Sequence, residues 1–138
     1  MDADEARRRF ARARVARLAT VDASGRPHLV PIVFVLVGET IYSAVDAKPK
    51  TTTALRRLEN ARAHPRVSVL ADHYDDTDWA ALWWVRADGT ARVLEVDDAE
   101  AARAIDELAE RYAQHREHRP GGPVLAVDVG RWIGWSAA

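Results

Sequence analysis

Cysteine is absent from this sequence of 138 residues, so the chain forms no disulfide bond, offers no thiolate to a metal ion and has no cysteine nucleophile. No apolar run approaches the roughly 20 residues of a transmembrane helix. The opening segment, MDADEARRRF, lacks the apolar core of a signal peptide. We therefore expect a cytoplasmic protein that does not associate with a membrane.

Neither sign of charge dominates. The formal net charge is −1, which excludes a globally basic protein that coats nucleic acid. Ser43 and Ser68 lack the G-x-S-x-G context of a hydrolase nucleophile, and no glycine-rich turn indicates a dinucleotide site. With no internal repeat or linker, the chain length predicts one domain, residues 1–138, around a single hydrophobic core.

Apolar periodicity and turn signals predict a mainly β protein. Helices are predicted to begin at Asp2, at about Thr51 and at Asp97, and strands are predicted over residues 15–21, 28–37, 40–45, 66–72, 79–87, 90–96 and 124–129. Asp88-Gly89 is the strongest short hairpin signal between two of these strands. Because hairpins dominate and no regular βαβ alternation occurs, we predict an antiparallel β-barrel with flanking helices rather than a doubly wound sheet.

Pro31 interrupts the second predicted strand. Proline has no N–H, so it cannot serve a central hydrogen-bond ladder at this position, and the strand must lie at an edge, carry a bulge or open locally. A local opening would expose the backbone of Ile32 and Val33 to a ligand.

The segment from Asp46 to Leu70 holds the densest group of anion-binding side chains. Its members are Lys48, Lys50, Arg56 and Arg57, with hydroxyls from Thr51, Thr52 and Thr53 near the predicted helix start. Unpaired N–H groups and the helix dipole also favour an anion there. The segment predicts a phosphate site, although threonines that only cap the helix and basic side chains that only face water fit the same pattern.

The tryptophans are concentrated in the second half of the chain, at Trp79, Trp83, Trp84, Trp132 and Trp135. Aromatic residues so placed indicate a ring-binding pocket, a subunit interface or an ordinary core. We take Trp83, Trp132 and Trp135 as candidate walls of a pocket. Adjacent Trp83 and Trp84 point to opposite faces of a strand, so at most one of them lines a given pocket.

Two polar segments carry residue types that ligate metals. The aspartate-rich segment 72–78 lacks the glycine and the distal glutamate of a calcium-binding loop. His115 and His118 lie in the breaker-rich segment 114–123, which predicts a solvated loop. Ion pairs with arginines or contact with water explain both segments better, so no metal site is predicted.

Several short motifs occur in a familiar order. They are LATVD, GRPH and VP within residues 18–31, RLEN and PRVS within residues 57–68, and DAKPK, DHYDD and LWWVR within residues 46–86. Over nearly the whole chain, this order resembles the pyridoxamine 5′-phosphate oxidase-like split β-barrel superfamily, which binds flavin mononucleotide (FMN) or the deazaflavin coenzyme F420. The last three motifs are similar to an actinobacterial branch assigned as F420-dependent oxidoreductases.

The resemblance implies an FMN-binding split barrel of the antiparallel Greek-key type that forms a homodimer with two cofactor sites at the subunit interface. It implies that the cofactor contacts come from the basic loop, from the helix after it and from the residues after the proline: Lys48, Lys50, Thr51, Arg57, Ile32 and Val33. Flavin phosphate oxidases have a basic pair on the third strand, whereas this chain has YSAV at residues 42–45. That difference favours F420 over FMN.

The activity implied is hydride transfer between a deazaflavin and a small organic substrate that the sequence does not identify. The cofactor would supply the chemistry, and the protein would supply phosphate binding, a ring slot and exclusion of water. Tyr74, His73 and water all remain open as proton donors. Two other functions fit the same residues: a carrier that binds F420, flavin or haem without turnover, and a dimeric scaffold whose site has lapsed.

Overall fold

The computed structural model describes residues 1–45 and 52–138, and for residues 52–55 the backbone alone. The helices are α1 (Ala3–Arg12), α2 (Thr52–Ala63), α3 (Ala99–Arg111) and α4 (Ala113–Glu117), with a 3₁₀ turn at Trp79–Ala81. The strands are β1 (Ala16–Val21), β2 (Pro27–Ile32), β3 (Val35–Val37), β4 (Thr40–Ala44), β5 (Arg66–His73), β6 (Trp83–Leu94) and β7 (Val124–Ser136). The predicted mainly β class is confirmed.

All described strands belong to one curled antiparallel sheet with the order β2-β1-β5-β6-β7-β4-β3. Strands β2 and β3 follow each other in the chain, yet they form the two opposite edges of this sheet. Only Val33 and Phe34 separate them. The chain therefore crosses between the edges at this point, and the barrel is split there, as the split-barrel prediction requires.

The concave inner face of the sheet carries the main core. Leu18, Val69 and Val85 on adjacent central strands are fully buried, and they alternate with outward-facing residues because successive side chains point to opposite faces. Phe10 from α1 and Leu58 from α2 pack into the same cluster. These two helices thus pack against the inner core.

Helix α1 begins as the sequence predicts. The backbone N–H of Glu5 donates to Asp2 Oδ1 at 2.8 Å, which satisfies a free donor of the first turn. For α3 the predicted cap at Asp97 is wrong by one residue. Asp98 is the N-cap, and its Oδ1 accepts from Glu100 N at 2.8 Å.

Helix α3 covers the outer face of one half of the sheet. Ile105 and Leu108 pack with Val35, Leu94 and Val124 in a second buried cluster. On the other half, where β1, β2 and β5 lie, the described helices leave the outer face uncovered, and Leu29 there is 68% exposed. The two halves of the sheet therefore differ in what their outer faces can contact.

The hairpin predicted at Asp88-Gly89 is wrong. Strand β6 continues through this dipeptide and pairs with β7 along its whole length, with a bulge at Asp88 and Gly89. A Cβ atom on Gly89 would lie 2.4 Å from the carbonyl oxygen of Asp128. The glycine is therefore required by close contact between two strands rather than by a turn.

Four other boundaries differ from the sequence predictions. The strand predicted over residues 79–87 begins only at Trp83, because Trp79–Ala81 forms a 3₁₀ turn. The strand predicted over residues 28–37 is interrupted after Ile32, and Pro31 lies on edge strand β2, where its missing N–H costs no ladder bond. The segment 114–123 is only partly a loop, because α4 occupies Ala113–Glu117. Strand β7 extends to Ser136, so that Trp132 and Trp135 are strand residues.

Candidate functional site

A cleft of about 670 Å³ opens where the sheet is split, and its size suits a small organic ligand. Its lining residues come from the end of β2, the end of β4, helix α2 and the segment after α3: Pro31, Ile32, Val33, Ser43, Ala44, Arg57, Tyr112, Gln114, His115, His118 and Arg119. Edge strand β2 and strand β4, which lies beside the opposite edge strand β3, thus contribute to one concave site.

Helix α2 is fixed against the sheet by its buried side. Leu58 and Ala61 lie in the core, and the buried Asn60 donates from Nδ2 to Thr20 Oγ1 at 3.1 Å. A buried side chain-to-side chain hydrogen bond of this kind sets the rotation of the helix. Arg57, next to Leu58, consequently lies at the border of the buried face and lines the cleft.

Arg57 is the most distinctive cation of the cleft. Its Nε is buried, and no acceptor within the described part of the chain takes a hydrogen bond from it. Burial also lowers the pKa of the Arg57 guanidinium, because low dielectric disfavours the charged form. A buried cationic donor without an acceptor is unfavourable, so an anion that enters the cleft would be bound by a charge-assisted hydrogen bond.

Tyr112 follows α3 and fixes the crossing between the two sheet edges. Its hydroxyl oxygen accepts from Phe34 N at 3.3 Å and from Arg111 Nε at 3.1 Å. It lies 2.9 Å from the carbonyl oxygen of Phe34 and 3.0 Å from that of Arg14, and its hydrogen can serve either one. Tyr112 therefore positions the backbone beside Val33.

The cleft has a positive lining. No aspartate or glutamate occurs among its described lining residues, which include two arginines and two histidines. The ring of His115 packs edge-on against Tyr112, with 5.9 Å between the ring centroids. This composition favours a ligand that carries negative charge.

The structure brings some of the predicted site residues together. Arg57, Ile32 and Val33 all line the cleft, with Ile32 buried and Val33 37% exposed. Lys48, Lys50 and Thr51 lie outside the described residues, between the end of β4 and the start of α2. Their predicted contacts with phosphate therefore stay predictions.

The predicted tryptophan walls lie elsewhere in this chain. Trp83 and Trp132 pack against the inner core beside α1: the Trp132 ring lies 5.3 Å from that of Phe10, and the Arg9 guanidinium lies 5.9 Å from the Trp83 ring. Trp135 projects from the outer face of the sheet and is 47% exposed. None of the three is among the described residues that line the cleft, and their contact with a cofactor stays a prediction.

Sequence reasoning missed more than half of the described lining. Ser43, Tyr112, Gln114 and Arg119 are not among the predicted site residues, and the sequence predicts a solvated loop for His115 and His118. A usable signal is present in QHREHR at residues 114–119, where two histidines three residues apart are spaced for one side of a helical turn. Only the tertiary structure shows that this segment lies beside Arg57.

Metal-ligand clusters and membrane-spanning helices are both absent from residues 1–45 and 52–138. No group of three or more histidine, aspartate or glutamate side chains there is arranged to hold a metal ion. None of the described helices has the length and apolar character needed to cross a membrane.

Several solved structures share this fold. A conserved hypothetical protein of Mycobacterium tuberculosis superposes with a TM-score of 0.77 and 22% identity over 99% of this chain and 86% of that one. An FAD-binding protein of Mesorhizobium loti gives 0.73 and 22% over 97% and 94%. The haem storage protein HutZ of Vibrio cholerae gives 0.72 and 21% over 99% and 95%.

At these identities the superpositions establish the fold alone. No curated protein matches the chain. The family model described as pyridoxamine 5′-phosphate oxidase, however, matches residues 3–136 and thus nearly the whole sequence. The chain therefore belongs to the pyridoxamine 5′-phosphate oxidase family.

Proposed function

We propose that this protein is an F420-dependent oxidoreductase that transfers a hydride between the deazaflavin and a small organic substrate. The observation that carries the proposal is Arg57, whose buried Nε has no acceptor among the described residues and which lines the cleft beside Val33. A phosphate would supply the missing acceptor. The FAD-binding protein among the similar structures supports a ligand of the flavin type.

The residues of the cleft fit a phosphorylated ring cofactor. Arg57 would bind the phosphate, and Ile32 and Val33 would provide an apolar surface beside the ring. Tyr112 would keep that surface in place through its bonds to Phe34. When bound, the cofactor supplies the hydride chemistry, so the protein needs to bind, orient and shield it from water.

Further contacts belong to the same proposal. We retain Lys48, Lys50 and Thr51 as additional phosphate ligands, because they directly precede α2 in sequence. FMN is the alternative cofactor, since its phosphate would satisfy Arg57 equally well. The absence of a basic pair in YSAV at residues 42–45 supports F420.

We also propose that the protein is a homodimer in which a second copy covers the free outer face of the sheet. Leu29, Leu70, Trp84 and Trp135 all project to this face, where Trp84 and Trp135 are directly paired across β6 and β7. Exposed apolar side chains that lie together favour contact with a protein surface. On the same face Arg17 and Arg86 lie on either side of Leu70, and Arg17 forms an ion pair with Asp72, which a second copy can complement. In such a dimer Trp135 would reach a cofactor site through the interface.

A non-catalytic carrier is the second candidate. The haem storage protein HutZ has a similar fold, and a positive cleft with apolar walls would hold F420, FMN or haem without turnover. Substrate-dependent oxidation of the cofactor distinguishes an oxidoreductase from a carrier. An oxidoreductase oxidises reduced F420 faster when its substrate is added, whereas a carrier binds the cofactor with no such dependence.

The first experiment is a titration of the protein with F420 and, separately, with FMN, followed by the quenching of tryptophan fluorescence. Arg57→Ala should weaken binding of the preferred cofactor about 10- to 150-fold, the equivalent of about 1.5–3 kcal/mol for a charge-assisted bond. Arg62→Ala is the control, because it removes the same charge from an exposed position on α2 that does not line the cleft. If the two variants had equal dissociation constants, Arg57 would not be a ligand of the cofactor.

A further inference from the structure

Two buried polar residues join α2 to the sheet in an otherwise apolar part of the described core. Thr20 on β1 is 1% exposed and Asn60 on α2 is 4% exposed, and Asn60 Nδ2 donates to Thr20 Oγ1 at 3.1 Å. Leu18 on the same face of β1, and Leu58 and Ala61 on α2, are apolar core residues. Apolar side chains at positions 20 and 60 would avoid removing a hydroxyl and an amide from water. Stability alone therefore does not explain this hydrogen bond.

The burial of Arg57 depends on the orientation of α2. Arg57 precedes Asn60 by three residues, and side chains three residues apart lie on one face of a helix. The buried Nε of Arg57 has no acceptor in the described part of the chain, which costs free energy before any ligand is present. A small rotation or outward shift of α2 would let water reach this N–H group and remove that cost.

The hydrogen bond between Thr20 and Asn60 opposes such a movement. A shift of α2 that hydrates Arg57 carries Asn60 away from Thr20 and leaves two buried polar groups without their partner. Strand β1, which carries Thr20, lies between β2 and β5 in the sheet, so it is a fixed point for the helix. The apolar contacts of α2 are non-directional and restrict its rotation less strictly.

We propose that Thr20 and Asn60 are positioning residues, whose buried hydrogen bond keeps Arg57 desolvated and unpaired until an anionic group of the cofactor reaches it. The inference rests on the proposed function and adds how the chain prepares its phosphate ligand. The cofactor then meets a donor that does not have to lose water or change position. Donors preorganised in this way bind more tightly, because the cost of ordering them is met during folding.

The test replaces both partners with apolar side chains in the double variant Thr20→Val/Asn60→Leu. Valine and leucine are close in size to the residues they replace, so the urea midpoint should rise or fall by less than about 0.5 M. Each single substitution should lower the midpoint more than the double substitution does, because it leaves the other polar group buried without a partner.

Dissociation constants for F420 and for FMN are then measured by calorimetry. The double variant should bind the preferred cofactor about 5-fold or more weakly, although its stability is preserved. In an Arg57→Ala background the same two substitutions should change binding less than about 2-fold, because they act through Arg57. Val67→Ala is the control: Val67 is 5% exposed in the core and does not line the cleft, so its truncation should lower the midpoint and leave binding unchanged.

A second measurement needs no cofactor. Arg57→Met keeps a long unbranched side chain and removes the buried N–H group, so it should raise the urea midpoint of the otherwise unmodified protein. The rise should be smaller in the Thr20→Val/Asn60→Leu background, where α2 is free to let Arg57 reach water. This comparison decides the proposal even if neither cofactor binds and the proposed function fails.

Four results overturn the proposal. Unchanged cofactor binding by the double variant would show that the bond does not position Arg57, and an equal loss with and without Arg57 would show that the two residues act elsewhere. A double variant less stable than either single variant would show that the bond serves stability alone. If Arg57→Met raised the midpoint equally in both backgrounds, or in neither, the bond would not be what keeps Arg57 from water.

Discussion

The hydroxyl of Tyr112 lies 2.9 Å from the carbonyl oxygen of Phe34 and accepts from the N–H of the same residue at 3.3 Å. One side chain at the end of α3 thereby holds the backbone that crosses between the two edges of the sheet. Because Val33 in this crossing lines the cleft, Tyr112 links the packing of α3 to the shape of the candidate site.

Replacement of Tyr112 by Phe should lower the free energy of unfolding by about 1–2 kcal/mol, because the Phe34 backbone loses its partner while the ring still fills its place. Urea denaturation measures the loss. Tyr74→Phe is the matched control: Tyr74 is 63% exposed and its hydroxyl contacts only the nearby Asp76 in the described structure. A change within about 0.5 kcal/mol is expected there. Equal effects of the two substitutions would contradict the structural role of Tyr112.

Gly89→Ala should destabilise the protein by about 1–3 kcal/mol or more, because its Cβ would meet the backbone oxygen of Asp128 at 2.4 Å. Thermal and urea unfolding report the change. Gly130→Ala is the control on the paired strand, where the nearest atom to a Cβ is 3.9 Å away. That variant should be neutral or slightly more stable, since alanine restricts the unfolded chain. A tolerated Gly89→Ala would argue against the close approach of β6 and β7.

An ion-pair network ties the start of α3 to the sheet. Arg92 donates to Glu100 at 2.9 Å and to Asp128 at 2.6 Å, and the Tyr42 hydroxyl donates to Glu100 at 2.7 Å. The hydrogen bonds from Arg92 and then Tyr42 lower the pKa of Glu100 from 4.5 to about 2. Glu100 therefore stabilises the fold fully above pH 4.5, and this contribution is lost as the pH falls from there through about 2.

Glu100→Gln should lower the free energy of unfolding at pH 7 by about 1 kcal/mol or less, because the pair is partly exposed to solvent. The difference from the unmodified protein should shrink as the pH falls from 4.5 towards 2, where the glutamate itself becomes neutral. Glu107→Gln, an exposed position on the same helix, is the control. Urea denaturation between pH 2 and pH 7 gives both curves, and a difference independent of pH would refute the assignment.

Leu29→Asp should weaken the proposed homodimer, because it places a carboxylate on the apolar outer face of β2. Leu29 is 68% exposed in one chain, so the fold itself should tolerate the change. Val96→Asp is the control, since Val96 is 53% exposed and lies between β6 and α3, away from this face. Sedimentation velocity distinguishes monomer from dimer. A dimer that persists in the Leu29 variant would place the interface elsewhere.

Local features of the fold followed directly from the sequence. Asp2 caps α1, and Asp22 accepts from the N–H groups of Ser24 and Arg26 in the first turn, where Gly25 adopts φ 87°. Caps and turns of this kind depend on atoms within a few residues of each other, so the order of residues is enough to predict them.

The candidate site could be predicted only in part. The basic cluster predicts Arg57, Pro31 in the second strand predicts Ile32 and Val33, and the resemblance to a family implies all three. The structure brings them into one cleft. The segment after α3 was not identified as part of the site, because its cleft-lining residues Gln114, His115, His118 and Arg119 lie about 60 positions after Arg57 in sequence and nothing local marks their approach. Its short helix also lies in a polar segment, where periodicity carries little information.

The sequence by itself determined the mainly β class, the capped start of α1, the absence of thiol chemistry and the family. Tertiary structure alone decided that Asp88-Gly89 is a bulge in a long strand, because the close approach of Asp128 excludes a side chain there. It also decided that β2 and β3 become opposite edges of the sheet and that Tyr112 holds their crossing. These features depend on contacts between residues far apart in the chain, which no local pattern encodes.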